Sequence, residues 1–198
     1  MMKNILLYTF TLLVLLAGCS SNDRSEQSQS TTSQTEPQNR TTYTAEDLRN
    51  ASLQGDLDQV RQIVDSGVNI EEGDQLERTA LMFASFNGHS EIVEFLIEQG
   101  AVVQNQNSEG RTPLMFAASG PFPETVELLL ENGADPNIKD SVEGWTPLMY
   151  AAAEGNVEVI EVLLDYNADV SLLDSDGESA ADFARNNGHS EVVALLEN

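Results

Sequence analysis

The chain has 198 residues, enough for one compact domain or for a short repeat array with an extension. It contains 9 Lys and Arg against 33 Asp and Glu, which gives a formal net charge of -24. A chain with this excess of acidic residues lacks the cluster of Lys and Arg that phosphate binding requires. We therefore expect no nucleic-acid partner.

The amino-terminal residues have the pattern of a secretory signal. Lys3 precedes an apolar run over residues 5–16, which is too short to span a bilayer comfortably. Residues 16–19 then read Leu-Ala-Gly-Cys, which resembles the lipobox of bacterial lipoproteins. The resemblance implies a signal peptide over 1–18, cleavage before Cys19 and anchoring to the membrane through lipid on that cysteine. The alternative is an ordinary signal peptide with an incidental cysteine.

The lipobox resemblance also predicts a location. The protein would lie in the cell envelope, on the periplasmic face of the outer membrane in a Gram-negative cell or on the outer face of the cell membrane in a Gram-positive one. The residues after Cys19 are rich in Ser, Thr and Gln, with almost no apolar side chain before Tyr43. Such a composition buries too little surface to fold, so 19–43 is predicted to be a disordered tether.

A phrase of the Thr-Pro-Leu type recurs through the rest of the chain. It begins at Thr79, Thr112 and Thr146, and counting Ser179 as a fourth start gives steps of 33, 34 and 33 residues. A fixed period in this range indicates stacked structural repeats. The extra residue of the longer step falls around 141–143.

Residues 44–198 resemble the ankyrin family in both phase and residue type. The resemblance implies an all-α solenoid of stacked helix-turn-helix units with short β-hairpin-like turns. Five repeats are predicted, at about 44–74, 75–107, 108–140, 141–174 and 175–198. The outer sides of the first and last repeats are polar, as solubility requires of end caps.

The repeat positions have individual physical reasons. The threonines are predicted N-caps, and the prolines that follow two of them suit the first helical position. Gly120-Pro121-Phe122-Pro123 replaces the Asn-Gly-His-Ser turn of repeat two, so a remodelled turn is expected there. Met82, Met115 and Met149 stand where the family usually has histidine and would fill that space by packing.

We find no basis for catalysis, a metal site or a cofactor. His89 and His189 are the only histidines and lie in equivalent turns three repeats apart, so a structural role in those turns is favoured. Residues 174–178 faintly resemble the start of a calcium loop, but they are in phase with the other hairpins, and a capped turn is favoured.

In ankyrin proteins the concave groove and the hairpin tips bind other proteins, so the resemblance implies one protein partner for an otherwise monomeric chain. The corresponding positions are Arg78, Phe86, Asn87, Glu109, Arg111, Ser119, Glu143, Trp145, Glu154, Asp176, Glu178 and Asn186. Trp145 is the only tryptophan and could act with Arg111 as an anchor, or it could pack against the adjacent hairpin.

Two further alternatives stay open. Phe83, Phe116, Tyr150 and Phe183 form an aromatic ladder that either lines each repeat's own core or provides an exposed floor for a partner. The acidic charge either reflects habitat and solubility or attracts a basic protein.

The sequence thus predicts a membrane-anchored protein-binding scaffold of the bacterial envelope. The alternative function is an immunity or stress-defence accessory lipoprotein that neutralises a toxin or supports an envelope enzyme.

Overall fold

The computed structural model describes residues 42–197, so the predicted signal peptide, Cys19 and nearly all of the predicted tether lie outside the described residues. The described residues form ten α-helices and no β-strand, which confirms the predicted all-α architecture. The helices are α1 (Ala45–Gln54), α2 (Leu57–Asp65), α3 (Ala80–Phe86), α4 (Ser90–Glu98), α5 (Pro113–Ala118), α6 (Pro123–Glu131), α7 (Pro147–Glu154), α8 (Val157–Asp165), α9 (Ala180–Asn187) and α10 (Ser190–Leu196).

The helices pack in two layers. The odd-numbered helices contact one another in sequence from α1 to α9, and the even-numbered helices do the same from α2 to α10. The layers enclose a continuous apolar core, in which Ile63, Leu96 and Leu129 are among the largest fully buried side chains. Helices of this length are not stable alone in water, so packing between the layers holds the fold together.

Each odd-numbered helix begins at a hydroxyl residue. The hydroxyls of Thr79, Thr112 and Thr146 accept hydrogen bonds from the backbone N–H three residues later at 3.3–3.4 Å. Thr44 and Ser179 do the same at the two ends of the array. Each cap satisfies one of the unpaired N–H groups of the helix and contributes about 1 kcal/mol. The predicted threonine caps are confirmed.

The third helical residue differs between the interior and the ends of the array. Met115 and Met149 are buried, and their Sδ atoms accept the N–H of the capping threonine at 3.4 Å. At the ends, Asp47 and Asp182 instead accept from both the N–H and the hydroxyl of the cap. The hydroxyl hydrogen bond lowers the pKa of both carboxyls, that of Asp182 to about 2. A thioether therefore accepts the N–H of the capping residue at the buried positions inside the array, and a carboxylate accepts it at the more exposed positions at the two ends.

The two histidines join neighbouring helix pairs. The Nε2 atoms of His89 and His189 lie 3.2 and 3.1 Å from the carbonyl oxygens of Leu53 and Ala153 in the preceding pair. Each imidazole also covers the glycine of that preceding turn so closely that no side chain could replace it. The structural role predicted for both histidines is confirmed.

The turn at residues 120–123 is remodelled, as predicted. Phe122 stands where two of the other turns have His89 and His189, and it precedes Pro123 at the start of α6. Its ring covers Gly88, where an added Cβ would lie 2.2 Å from the ring. The phenyl ring therefore keeps the packing of the imidazole but gives up its hydrogen bond.

The loops between helix pairs form hairpins that share one pattern of hydrogen bonds. The first residue of each (Asp74, Asn107, Asp140 or Asp174) accepts backbone N–H bonds through its side-chain oxygen. The hairpin after Asp140 is one residue longer than the others, which accounts for the 34-residue step. The turn after Asp174 is capped in the same way, so the predicted capped turn is confirmed there.

Backbone bonds also join one hairpin to the next. The N–H groups of Ser108, Ser141 and Ser175 donate to carbonyls of the preceding hairpin at 2.9–3.0 Å. We call these four linked hairpins the hairpin row. Its regular bonding fixes the step from one helix pair to the next.

The outer sides of the two end pairs are polar. Val60 and Ile63 of α2 are fully buried, whereas Gln62 on the same helix is exposed. At the other end Arg185 and Glu197 are exposed and form an ion pair. Both ends therefore meet water with polar groups, as expected for end caps.

Candidate protein-binding face

The odd-numbered helices and the hairpin row together make one side of the molecule, which we call the groove face. The four ladder aromatics lie on this face, one on each of α3, α5, α7 and α9, and each is half-buried. The ladder is thus neither sealed in the core nor fully open. Its two halves differ in what covers them.

Beside the first half of the ladder, α3 exposes a further aromatic ring. Phe86 is 50% exposed, and its ring meets that of Phe116 edge to face with centroids 6.4 Å apart. Beside them lies a pocket of 260 Å3, lined by Leu53, Arg78, Met82, Phe83, Phe86 and Phe116. Among the described residues, half-exposed Phe86 is the most exposed aromatic side chain on the groove face, because the other rings are all better covered. We call these residues the open cluster.

Arg78 forms the wall of the open cluster nearest the hairpin row. Its guanidinium lies over the ring of Phe83 with Cζ 4.9 Å from the centroid. Its Nε and Nη2 atoms donate to one carboxylate oxygen of Asp74 at 2.9 and 2.6 Å. Partial burial would raise the pKa of Asp74, but the bonds from Arg78 and from backbone N–H groups hold it below its ordinary value. The arginine is therefore fixed in place with its charge already paired.

The second half of the ladder is covered by Trp145. The indole lies 5.1 Å from the Tyr150 ring and 4.4 Å from the Phe183 ring, measured between centroids. Arg111 approaches the same Tyr150 ring at 5.5 Å and pairs with Glu109 at 3.5 Å. We call Trp145, Tyr150 and Phe183 the closed cluster. Trp145 packs between a ring of its own helix pair and a ring of the next.

Tyr150 is fixed at its polar end as well. Its hydroxyl donates to Asp140 at 2.6 Å, and this carboxylate is only 5% exposed. Burial would raise the pKa of Asp140, but this bond and three backbone N–H bonds keep it below its ordinary value. Burial and the same carboxylate raise the pKa of Tyr150. The closed cluster is thus held by ring packing and by a charge-assisted hydrogen bond.

The remaining predicted contact residues are spread along the groove face. Three of them use their side chains locally, since Asn87 donates to the Leu53 carbonyl, Ser119 to the Phe116 carbonyl and Asn186 to Glu178. The exposed acidic positions of the set are Glu143, Glu154 and Asp176. The structure brings Arg78 together with Phe86 and Arg111 together with Trp145 and Tyr150, but it separates these two groups.

Sequence reasoning missed the walls of the open cluster. Leu53 and Met82 were not expected to line a pocket, because each belongs to an apolar face that reads as core. The Asp140–Tyr150 bond was also missed. Its signal is a paired difference, since Asp140 and Tyr150 take the places of Asn107 and Phe116 in the preceding pair.

The negative charge is spread over both sides of the molecule, but two helices of the groove face carry none of it. Residues 42–197 hold 30 of the 33 acidic residues and six of the nine basic ones, and thus the whole net charge of -24. α3 and α5 contain no charged residue at all. By contrast, α4, α6 and α8 each expose three carboxylates, at Glu91, Glu94, Glu98, Glu124, Glu127, Glu131, Glu158, Glu161 and Asp165.

Two further properties concern other kinds of site. Within residues 42–197, no three His, Cys, Asp or Glu side chains are grouped so that they could hold a metal ion. No helix in this part of the chain is long and apolar enough to cross a membrane.

The arrangement of the helices agrees with a comparison against protein families. The family model for ankyrin repeats (3 copies) matches residues 48–140 and 122–198, so most of the chain is covered. The chain therefore belongs to the ankyrin-repeat family. Ankyrin repeats mediate protein–protein interaction, which makes the molecule a protein-binding scaffold in class. No curated protein matches the chain.

Proposed function

We propose that this protein is a membrane-anchored scaffold of the bacterial cell envelope that captures a protein partner on its groove face. The observation that supports this proposal best is the contrast between the two sides. On the groove face, α3 and α5 carry no charged residue and Phe86 is exposed beside an apolar pocket, whereas α4 and α6 on the other side each expose three carboxylates. Interfaces are built around apolar and aromatic cores from which charge is excluded.

The proposal has no catalytic step. The two histidines are engaged with carbonyls of neighbouring helix pairs, and the best-placed tyrosine is tied to Asp140. These groups stabilise the fold. We therefore propose a binding protein without enzymatic activity, and we expect the chain itself to be a monomer.

The proposed organisation follows the sequence. Residues 1–18 would be removed as a signal peptide, Cys19 would carry the lipid, and residues up to 43 would link the lipid to the array. The array would comprise five repeats, with 44–74 and 175–198 as its caps. Tyr43 already packs against the first helices and hydrogen-bonds Gln62, so the proposed link ends close to this residue.

Crosslinking in intact cells tests the capture of a partner. The lipidated chain, with a carboxy-terminal tag, should recover one protein in stoichiometric yield. A matched chain with Phe86→Ala should recover much less of it, while Val102→Ala, which changes an equally exposed residue outside the groove face, should recover the same amount. Recovery of no protein would contradict the proposal.

Membrane fractionation tests the anchor separately. Cys19→Ala should release the processed protein from the membrane, because two acyl chains are needed for stable attachment. A processed Cys19→Ala chain that stays in the membrane fraction would refute the lipid anchor and leave the binding role intact.

A second function is favoured by one observation, the location of the whole net charge on the array. An acidic surface of this size suits occlusion of a basic toxin, so an immunity or stress-defence accessory is the alternative. Protection of cells against a toxin encoded beside this chain, lost on deletion of the chain, would support the alternative.

A further inference from the structure

The open cluster adjoins a second and larger depression. This second pocket has a volume of 480 Å3 and extends from α1 to the first hairpin. The two pockets share Arg78 and Phe83. They form one surface with an apolar end at Phe86 and a polar end at Glu46 and Asp74.

We propose that this surface receives a basic segment of the partner protein, which inserts one aromatic or leucine side chain into the open cluster. The inference rests on the proposed function, because it names the chemistry of the partner at the same face. Three observations carry it: the shape of the apolar end, the pairing of Arg78 and the signs of the charges left unpaired around it.

The apolar end has room for one side chain and offers rings as its walls. Phe83, Phe86 and Phe116 surround the pocket, and the edge-to-face contact of the last two leaves ring surface free. Aromatic pairs gain about 0.5–1.5 kcal/mol beyond the area that they bury. An aromatic or leucine side chain from a partner would complete this cluster, as Trp145 does for the closed cluster.

Arg78 gives no preference for an acidic partner. Its guanidinium is already bound to Asp74 through two hydrogen bonds and stacks on Phe83. A carboxylate from a partner would have to compete with Asp74 for the same nitrogen atoms. The arginine therefore acts as a wall of the pocket, and it supplies no unpaired positive charge.

The unpaired charges around the pockets are mainly negative. Arg49 also lines the polar end, but its Nη1 atom donates to the backbone carbonyl of Glu72 at 2.6 Å and not to a carboxylate. The exposed carboxylates of Glu46, Glu72 and Glu77 outnumber this one guanidinium. Glu46 lines the polar end, and Glu77 lies in the adjoining hairpin; both are exposed. No ion pair joins either of them to a Lys or Arg of the described residues. Lys or Arg on either side of the inserted apolar group would meet these carboxylates, and the field of the whole array would speed its approach.

Peptide binding to the full-length chain in detergent micelles tests the inference. The probes are three fluorescein-labelled peptides of equal length: Lys and Ser around one Phe, the same peptide with Ala for Phe, and Glu and Ser around one Phe. Fluorescence anisotropy should show that the Lys–Phe peptide binds at least about tenfold more tightly than either of the others. Its binding should weaken as salt is raised.

Two variants assign the binding to this surface. Phe86→Ala should weaken the Lys–Phe peptide about tenfold, whereas Val102→Ala, at an equally exposed residue outside the groove face, should leave it unchanged. The double variant Glu46→Gln with Glu77→Gln should weaken it a few-fold and reduce its salt dependence. Equal binding of the Phe and Ala peptides, tighter binding of the acidic peptide, or no effect of Phe86→Ala would each overturn the inference.

Failure here is distinguishable from failure of the proposed function. A partner recovered by crosslinking in equal amounts with and without Phe86→Ala would leave the scaffold role standing and remove this site. Recovery of no partner would remove the scaffold role, whatever the peptides do.

Discussion

The open and closed clusters share three repeat positions, which hold Arg78, Phe83 and Phe116 in one and Trp145, Tyr150 and Phe183 in the other, and the open cluster adds Phe86 where α7 has Ala153. In the closed cluster, Trp145 fills the space between Tyr150 and Phe183. In the open cluster, the side chain at the matching hairpin position is Arg78, which stacks on Phe83 and leaves Phe86 half exposed. The comparison teaches that two differences, Arg78 for Trp145 at the hairpin and Phe86 for Ala153 on the helix, leave an exposed ring at only one of the two clusters.

A second difference reinforces the first. The closed cluster has the Asp140–Tyr150 hydrogen bond, whereas the equivalent pair of the preceding repeat, Asn107 and Phe116, cannot form it. The Nδ2 atom of Asn107 is buried without a hydrogen-bond partner. The Tyr150 ring is therefore fixed to its hairpin by a hydrogen bond as well as by packing, whereas the Phe116 ring is held by packing alone.

Deletion of residues 44–74 should have the largest effect, because it removes α1 and α2 and with them one wall of the open cluster. The apolar side of α3 and α4 would then face water. We expect loss of cooperative unfolding and aggregation, measured by circular dichroism and light scattering. A soluble chain that unfolds cooperatively would show that these residues are no cap.

Substitution of one aromatic residue in each cluster should lower the free energy of unfolding by different amounts. Trp145→Ala removes a ring packed against two others and should lower the free energy of unfolding by about 2–3 kcal/mol. Phe86→Ala changes a half-exposed ring and should stay within about 0.5 kcal/mol. Urea unfolding followed by circular dichroism measures both. Equal losses for the two variants would contradict the distinction between closed and open.

A double-mutant cycle tests the tie between hairpin and ladder. Tyr150→Phe and Asp140→Asn each break one buried, charge-assisted hydrogen bond and should cost about 1–3 kcal/mol. The double variant reproduces the Asn107 and Phe116 arrangement, so it should cost less than the sum of the single variants. Strict additivity in urea unfolding would mean that the bond contributes nothing.

The pH dependence should be the smallest effect. Asp140 has a lowered pKa in the folded state, so its contribution is present above the ordinary aspartate pKa of 3.8 and is lost as pH falls through the lower, folded value. Tyr150→Phe removes one of the bonds responsible, so its stability should fall less steeply in this acidic range. The difference should be about 0.5 kcal/mol or less, because the Tyr150 hydroxyl is only one of the four groups that donate hydrogen bonds to this carboxylate. Identical pH profiles of the two chains in urea unfolding would contradict this assignment.

Much of the fold could be predicted from the sequence because the repeat fixes local structure several times over. Thr79, Thr112 and Thr146 cap their helices in the same way, and each copy supports the others. The extra residue after Asp140 was visible for the same reason, as a break in a known period.

The binding face was harder to predict because it depends on differences between repeats. The sequence leaves Trp145 open between an exposed anchor and a packed ring, because its environment depends on Phe183 in the next helix pair. Phe86 is one of the contact positions that the family resemblance implies, but the pocket beside it also depends on Leu53 of the preceding helix pair. Contacts between side chains of different repeats cannot be predicted from the pattern within a single repeat.

Site-specific photocrosslinking tests the central claim most directly. A photoreactive amino acid would be placed at position 86, 142 or 145 in separate full-length chains expressed in the cell envelope. Capture of one protein partner from position 86, but from neither of the others, is the result that this account predicts. Capture from position 145 or 142 with none from position 86 would contradict it.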